Sequence, residues 1–147
     1  MKAKSTVAGC LLALLLIALA TPVWADEPSD NWEKVVFHLD DAANARWALM
    51  VARSYLDDSP KAKIVFVAYG PGIDFLMEGA TDKPGNPYAD RVRELVDRGV
   101  QFRVCAATLK ARGIPKGDLL ETVAVVPSGI SEIARLQLKE GYAYLKP

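Results

Sequence analysis

Along residues 34–145, short continuous apolar runs alternate with stretches in which apolar residues return every three or four positions. The run 34–39, Lys-Val-Val-Phe-His-Leu, predicts a first strand that stops at Asp40-Asp41. Ala45, Leu49, Ala52 and Leu56 then recur with the period of a buried helical stripe, and Asp57-Asp58-Ser59-Pro60 breaks it. The run 64–69 is β-rich with no polar alternation, which predicts a strand covered on both faces. Gly70-Pro71-Gly72 turns the chain into a short helix around 73–77, and a Gly/Pro-rich loop over 79–87 leads to a helix over 90–98 closed by Gly99. A third strand spans 100–104 with Cys105 at its carboxyl end, and a helix over 106–112 follows. The fourth strand, 122–126, passes through Pro127-Ser128-Gly129 into a helix expected to bury Ile130, Ile133, Ala134 and Leu138. Residues 142–145 form a short edge strand.

Strand and helix thus alternate about four times within one domain's length, which predicts right-handed crossovers. The expected fold class is α/β, a three-layer α/β/α domain over 34–147 with a mostly parallel sheet. No second core or internal repeat is indicated.

Residues 1–25 change the picture. Lys2 and Lys4 precede the apolar run 11–20, and Val23-Trp24-Ala25 ends in a small residue, the pattern of an export signal cleaved after Ala25. A polar lead, 26–33, then precedes the domain. The box Val7-Ala8-Gly9-Cys10 lies before the apolar run, the wrong place for lipidation. The expected product is periplasmic, with no membrane association after cleavage. Of the two cysteines only Cys105 remains, so no internal disulfide is available. A single thiol in an oxidising compartment is buried, paired with another chain, or kept for its reactivity.

Composition narrows the function further. Eighteen basic and eighteen acidic residues give a formal net charge of zero with no basic stripe, so nucleic acid is not an expected partner. One histidine and one retained cysteine do not make a metal site, and Gly70-Pro71-Gly72 has the spacing of a tight turn instead of a phosphate loop. No metal or cofactor is expected.

In a parallel α/β sheet, ligands gather at the carboxyl ends of the strands. That rule collects Asp40 and Asn44, Tyr69 with Gly70 and Gly72, Cys105 with Thr108, and Ser128 with Gly129 on one rim. Cys105 stands where a strand gives way to a helix, so unpaired N–H groups of the first turn favour its thiolate. A small buried side chain at a strand end is the competing reading. His38 is the only imidazole available as a proton shuttle; a histidine within an apolar strand also suits a hydrogen-bonded core position. Cys105 with His38 would in principle serve acyl hydrolysis, although nothing in the spacing compels it.

The segment Gly-Val-Gln-Phe-Arg-Val-Cys-Ala-Ala-Thr-Leu, 99–109, resembles the DsrE/DsrF-like family of small sulfur-handling proteins. So do Val126-Pro127-Ser128-Gly129-Ile130, residues 137–144, Val35-Val36-Phe37-His38 and Tyr69-Gly70-Pro71-Gly72. The resemblance implies a flavodoxin-like three-layer fold, a homo-oligomer, often a trimer or hexamer, and a persulfide-carrying strand-end cysteine that maps onto Cys105. Where many relatives have Gly-Asn after the cysteine, this chain has Ala106-Ala107. The function so implied is a periplasmic sulfur relay or sulfurtransferase-like activity, with Thr108 and His38 assisting Cys105. Its partners would be sulfur donor and acceptor proteins or small thiols. The alternative is a non-catalytic ligand-binding or oligomeric scaffold protein in which Cys105 is structural. Phe75, Leu76 and Met77 beside the Gly/Pro loop are expected to shelter against a neighbouring subunit.

Overall fold

The computed structural model describes residues 33–147, so the predicted export signal and all but Glu33 of the polar lead lie outside the described residues. Strands β1 (Lys34–Leu39), β2 (Lys63–Ala68), β3 (Gln101–Cys105), β4 (Val123–Val126) and β5 (Ala143–Leu145) form one sheet in the order β4-β3-β2-β1-β5. Every pairing is parallel, the edge strand β5 included. Helices α1 (Ala45–Asp58), α2 (Tyr88–Asp97) and α3 (Ala106–Arg112) share one apolar core, and α4 (Gly129–Glu140) packs in a second one.

The larger core lies on the side of α1, α2 and α3. Phe37, Phe66 and Phe102 stand side by side on adjacent strands, with ring centroids 4.9 and 4.8 Å apart. Ala45, Ala48, Leu49, Ala52 and Leu56 form the buried face of α1, and its alanines allow the helix to lie close to the sheet. Tyr88, Val92 and Leu95 do the same for α2, which begins two residues before the predicted position. The short helix expected at 73–77 is a 3-10 helix, Gly70–Leu76. Within it Phe75 and Leu76 are buried in the chain's own core, which corrects their expected role as a subunit contact.

The other side of the sheet is covered differently. Ile133 and Leu136 of α4 pack on Val36, Val65 and Val67, with Tyr69 and Tyr142 at the margins. The buried face of α4 is Gly129, Ile133 and Leu136, whereas Ile130 is 67% exposed, Leu138 is 85% exposed and Ala134 also faces solvent. The predicted stripe was therefore rotated. Gly129 lacks a side chain and gives no apolar signal, yet a Cβ there would stand 3.3 Å from the Cys105 Cβ and 3.2 Å from Tyr69 Cδ1. That close approach sets which side of α4 faces inward.

Helix α4 is also tied to β3 by an ion pair. Glu132 accepts from Arg103, and its second oxygen accepts from Arg135 Nε at 3.0 Å. The Gly/Pro-rich loop 79–87 is organised around Asp82. Its buried carboxylate accepts from the Asn86 N–H at 2.8 Å and lies 3.2 Å from Arg91. Among the described residues no helix is long and apolar enough to cross a membrane.

Candidate functional site

Strand order places Cys105 at a particular point on the rim. The chain leaves β3 into α3, which joins the larger core, and leaves the neighbouring β4 into α4 on the opposite side. Where adjacent strands send their connections to opposite faces, a crevice opens at their carboxyl ends. Cys105 ends β3 at that switch point, and the start of α4 returns beside it.

The consequence is electrostatic. Burial pushes the Cys105 thiol up, but the backbone N–H groups of Gly129, Thr108 and Ala107 and the Thr108 hydroxyl outweigh it and hold the thiol below its ordinary range. Hydrogen bonds to the charged form favour that form. The donor at Ala107 is its backbone amide, so alanine in place of an amide-bearing side chain leaves the donor intact. Cys105 is the only cysteine among the described residues, unpaired and 7% exposed. Its sulfur is held and polarised by groups from two helices that sequence separates by about twenty positions.

Thr108 is itself held. Its Oγ1 accepts from the Gly70 N–H at 3.0 Å, which joins the turn after β2 to α3. Gly72 packs against the end of β1, where a Cβ would come within 2.2 Å of the Leu39 carbonyl oxygen, so this turn admits only glycine there. Ser128 caps α4 by accepting from the Ser131 N–H at 3.3 Å and so supports the position of Gly129.

The remaining candidates fall into two groups. His38 is buried beside Tyr69, with ring centroids 4.6 Å apart, and Tyr69 in turn flanks Gly129 next to Cys105. The His38 Nδ1 lies 2.6 Å from the Tyr144 hydroxyl, while Nε2 is buried with no partner. Burial lowers its pKa, against Asp40, which raises it, and with Lys146, which lowers it further. Asp40 pairs with Lys146 at 2.5 Å on the same rim. Asn44, by contrast, is exposed before α1 and makes no side-chain capping bond. The structure brings Cys105, Thr108, Gly70, Gly129 and Tyr69 together, joins His38 to them through Tyr69, and leaves Asn44 apart.

Tyr144 and Arg112 were missed by sequence reasoning. Tyr144 lies 106 positions from His38, and no spacing rule links the two. Arg112 reads as a basic residue at a helix end, whereas it donates to the Gly70 carbonyl at 3.1 Å and to Asp74 at 2.6 Å.

A family model for the DsrE/DsrF-like family matches residues 34–147, the whole of the folded part just described. The chain belongs to the DsrE/DsrF-like family. Among solved structures it is similar to the protein of unknown function MTH1491 from Methanobacterium thermoautotrophicum, at 36% identity and a TM-score of 0.69, over 78% of this chain and 99% of that one. The ychN protein from E. coli shares the fold at 16% identity and a TM-score of 0.67, again over 78% and 99%. BT1422 from Bacteroides thetaiotaomicron, a conserved protein of unknown function, shares it at 16% identity and 0.56, over 78% and 95%. No curated protein matches the chain. As a DsrE/DsrF-like protein it has the α/β fold expected from its sequence, and the family suggests a sulfur-relay type of role.

Proposed function

We propose that this protein is a periplasmic sulfur carrier that holds sulfane sulfur as a persulfide on Cys105. The observation that carries the proposal is the position of Cys105: it ends β3 as the N-cap of α3, with the start of α4 packed against it at Gly129, in surroundings that hold its thiol below the ordinary range. A thiolate is the attacking species in sulfur exchange, so a site that favours the anion at a strand-end crevice suits this chemistry.

The transfer balances without any oxidant. The Cys105 thiolate attacks the outer sulfur of a donor R–S–SH; a bond forms from Sγ to that sulfur, the bond to R–S breaks, and R–S⁻ leaves with the electron pair. The proton stays on the transferred sulfur, giving Cys105–S–SH. An acceptor thiolate repeats the attack and restores Cys105. With one cysteine left after cleavage at Ala25, the acceptor is another molecule or another subunit. The step asks no proton of His38, whose ring stacks on Tyr69 and whose Nδ1 bonds to the Tyr144 hydroxyl.

The proposal includes assembly as a homo-oligomer, a trimer or hexamer. What supports it is exposed apolar surface on the α4 side, Ile130 and Leu138 on α4 and Tyr144 on β5. A scaffold reading, with Cys105 as packing, draws on its 7% exposure. Intact mass of protein exported with its own leader, taken before and after incubation with polysulfide, tests the proposal. We expect a chain beginning at Asp26 that gains the mass of one sulfur atom, and a Cys105→Ser variant that gains none and melts at nearly the same temperature. A mass that never changes, together with a clear drop in the melting temperature of Cys105→Ser, would leave the scaffold reading standing.

A further inference from the structure

The turn after β2 is gripped by α3 at both ends of one residue. The Gly70 N–H donates to Thr108 Oγ1 at 3.0 Å, and the Gly70 carbonyl accepts from Arg112 Nη1 at 3.1 Å. The same nitrogen donates to Asp74 Oδ1 at 2.6 Å, within the 3-10 helix. Thr108 and Arg112 are four residues apart and share one face of α3. Gly70 itself sits at φ +54°, so the turn dictates where its amide points.

A threonine hydroxyl is a rotor with one proton and two lone pairs. At the third position of a helix, a polar side chain can reach back to the residue that caps it. Here Cys105 is the N-cap of α3 and Thr108 its third residue, and the Gly70 N–H occupies a lone pair, which restricts the rotor and leaves the proton free to face back toward Cys105. Arg112 holds the other side of that same Gly70. The Arg112 and Asp74 side chains are 38% and 46% exposed, so their pair adds little to stability, and its contribution is orientation.

We infer that Arg112 is a positioning residue for Cys105: by fixing Gly70 it keeps the Thr108 hydroxyl directed at the sulfur. The inference rests on the sulfur-carrier reading for its purpose, but its test does not need sulfur uptake. That test is the rate of Cys105 alkylation as a function of pH. For Arg112→Ala we expect alkylation about three- to tenfold slower at neutral pH, the size of a weakened hydrogen bond to a charged group, and a profile displaced upward in pH. The melting temperature should barely move. Arg112→Lys, which keeps the charge and a donor, should recover part of the rate.

Loss of the Arg112 charge would also disfavour a thiolate through space, so a second background separates the two causes. In Thr108→Val the hydroxyl is gone, and adding Arg112→Ala should change nothing further if Arg112 acts through it. An undiminished effect in that background would assign the influence to charge alone and overturn the inference, as would an Arg112→Ala profile identical to that of the unaltered protein. The other titratable groups on the surrounding elements stay in place in all these variants. They are His38 on β1 with Tyr144 on β5, Tyr69 at the end of β2, Asp74 in the 3-10 helix, the Arg103–Glu132 pair between β3 and α4, the Asp40–Lys146 pair beyond β1, and Lys110 on α3. Should Cys105 take up no sulfur while the variants still shift its profile, the relay reading falls and the positioning role stands.

Discussion

At the scale of single residues, the polar surroundings of Cys105 and the orphaned nitrogen of His38 depart from an ordinary core. His38 is 6% exposed, and burial holds its pKa below the ordinary 6.5. The unfolded chain therefore takes up a proton at a higher pH than the folded one. The resulting stability is fully present above about pH 6.5 and is lost as pH falls through the folded pKa. We expect the melting temperature to decline as pH falls below about 6.5, ahead of carboxylates in their ordinary range, and His38→Phe to flatten that decline. The Tyr144 hydroxyl, on a residue 39% exposed, can turn to water in this variant. An equally steep decline in His38→Phe would place the titrating group elsewhere. Sequence singled out both Cys105 and His38, because residue type and strand position carry that information. It did not show Tyr144 against His38, since a contact across 106 positions depends on which strand lies beside β1.

At the scale of elements, the placement of α4 decides the site, because its first residue supplies one of the amides on Cys105. Two things hold it there: the packing of Ile133 and Leu136, and the pairing of Glu132 with Arg103 and Arg135. The Arg135 hydrogen bond, opposed by burial and aided by Arg103, keeps the Glu132 carboxyl below its usual range. Glu132 is 11% and Arg103 17% exposed, so Glu132→Ala leaves a largely buried guanidinium with only Gln101 as partner. We expect a loss of about 2–3 kcal/mol in urea denaturation, below the full cost of breaking a buried pair because some exposure remains. An unchanged denaturation midpoint would mean that apolar packing alone seats α4. The rotation of α4 was the chief error of the sequence pattern. Ile130, Ala134 and Leu138 are apolar at helical spacing, but the inward face is chosen by Gly129, a residue that periodicity cannot weigh.

For the whole molecule, the outer side of α4 is where assembly is expected. Ile130 and Leu138 expose aliphatic surface on α4, on the side of the sheet that Tyr144 also faces, and exposed apolar patches on small domains commonly mark interfaces. Light scattering at micromolar concentration is expected to give a multiple of one chain's mass. Ile130→Glu combined with Leu138→Glu should reduce it to a single chain without impairing the fold, because neither side chain is in the core. A single-chain mass for the unaltered protein would end the assembly proposal. The alternation of apolar runs and helical stripes by itself determined that the chain is an α/β domain, where its strands lie, and that Cys105 stands at a strand's carboxyl end. These are local properties, set by side-chain periodicity and by turn residues. Only the tertiary structure decided the order β4-β3-β2-β1-β5, and with it that Cys105 lies between connections leaving to opposite faces. Strand order is settled by which apolar faces can be buried together, and the amides of Gly129 and Thr108 converge on one sulfur only after that packing is complete.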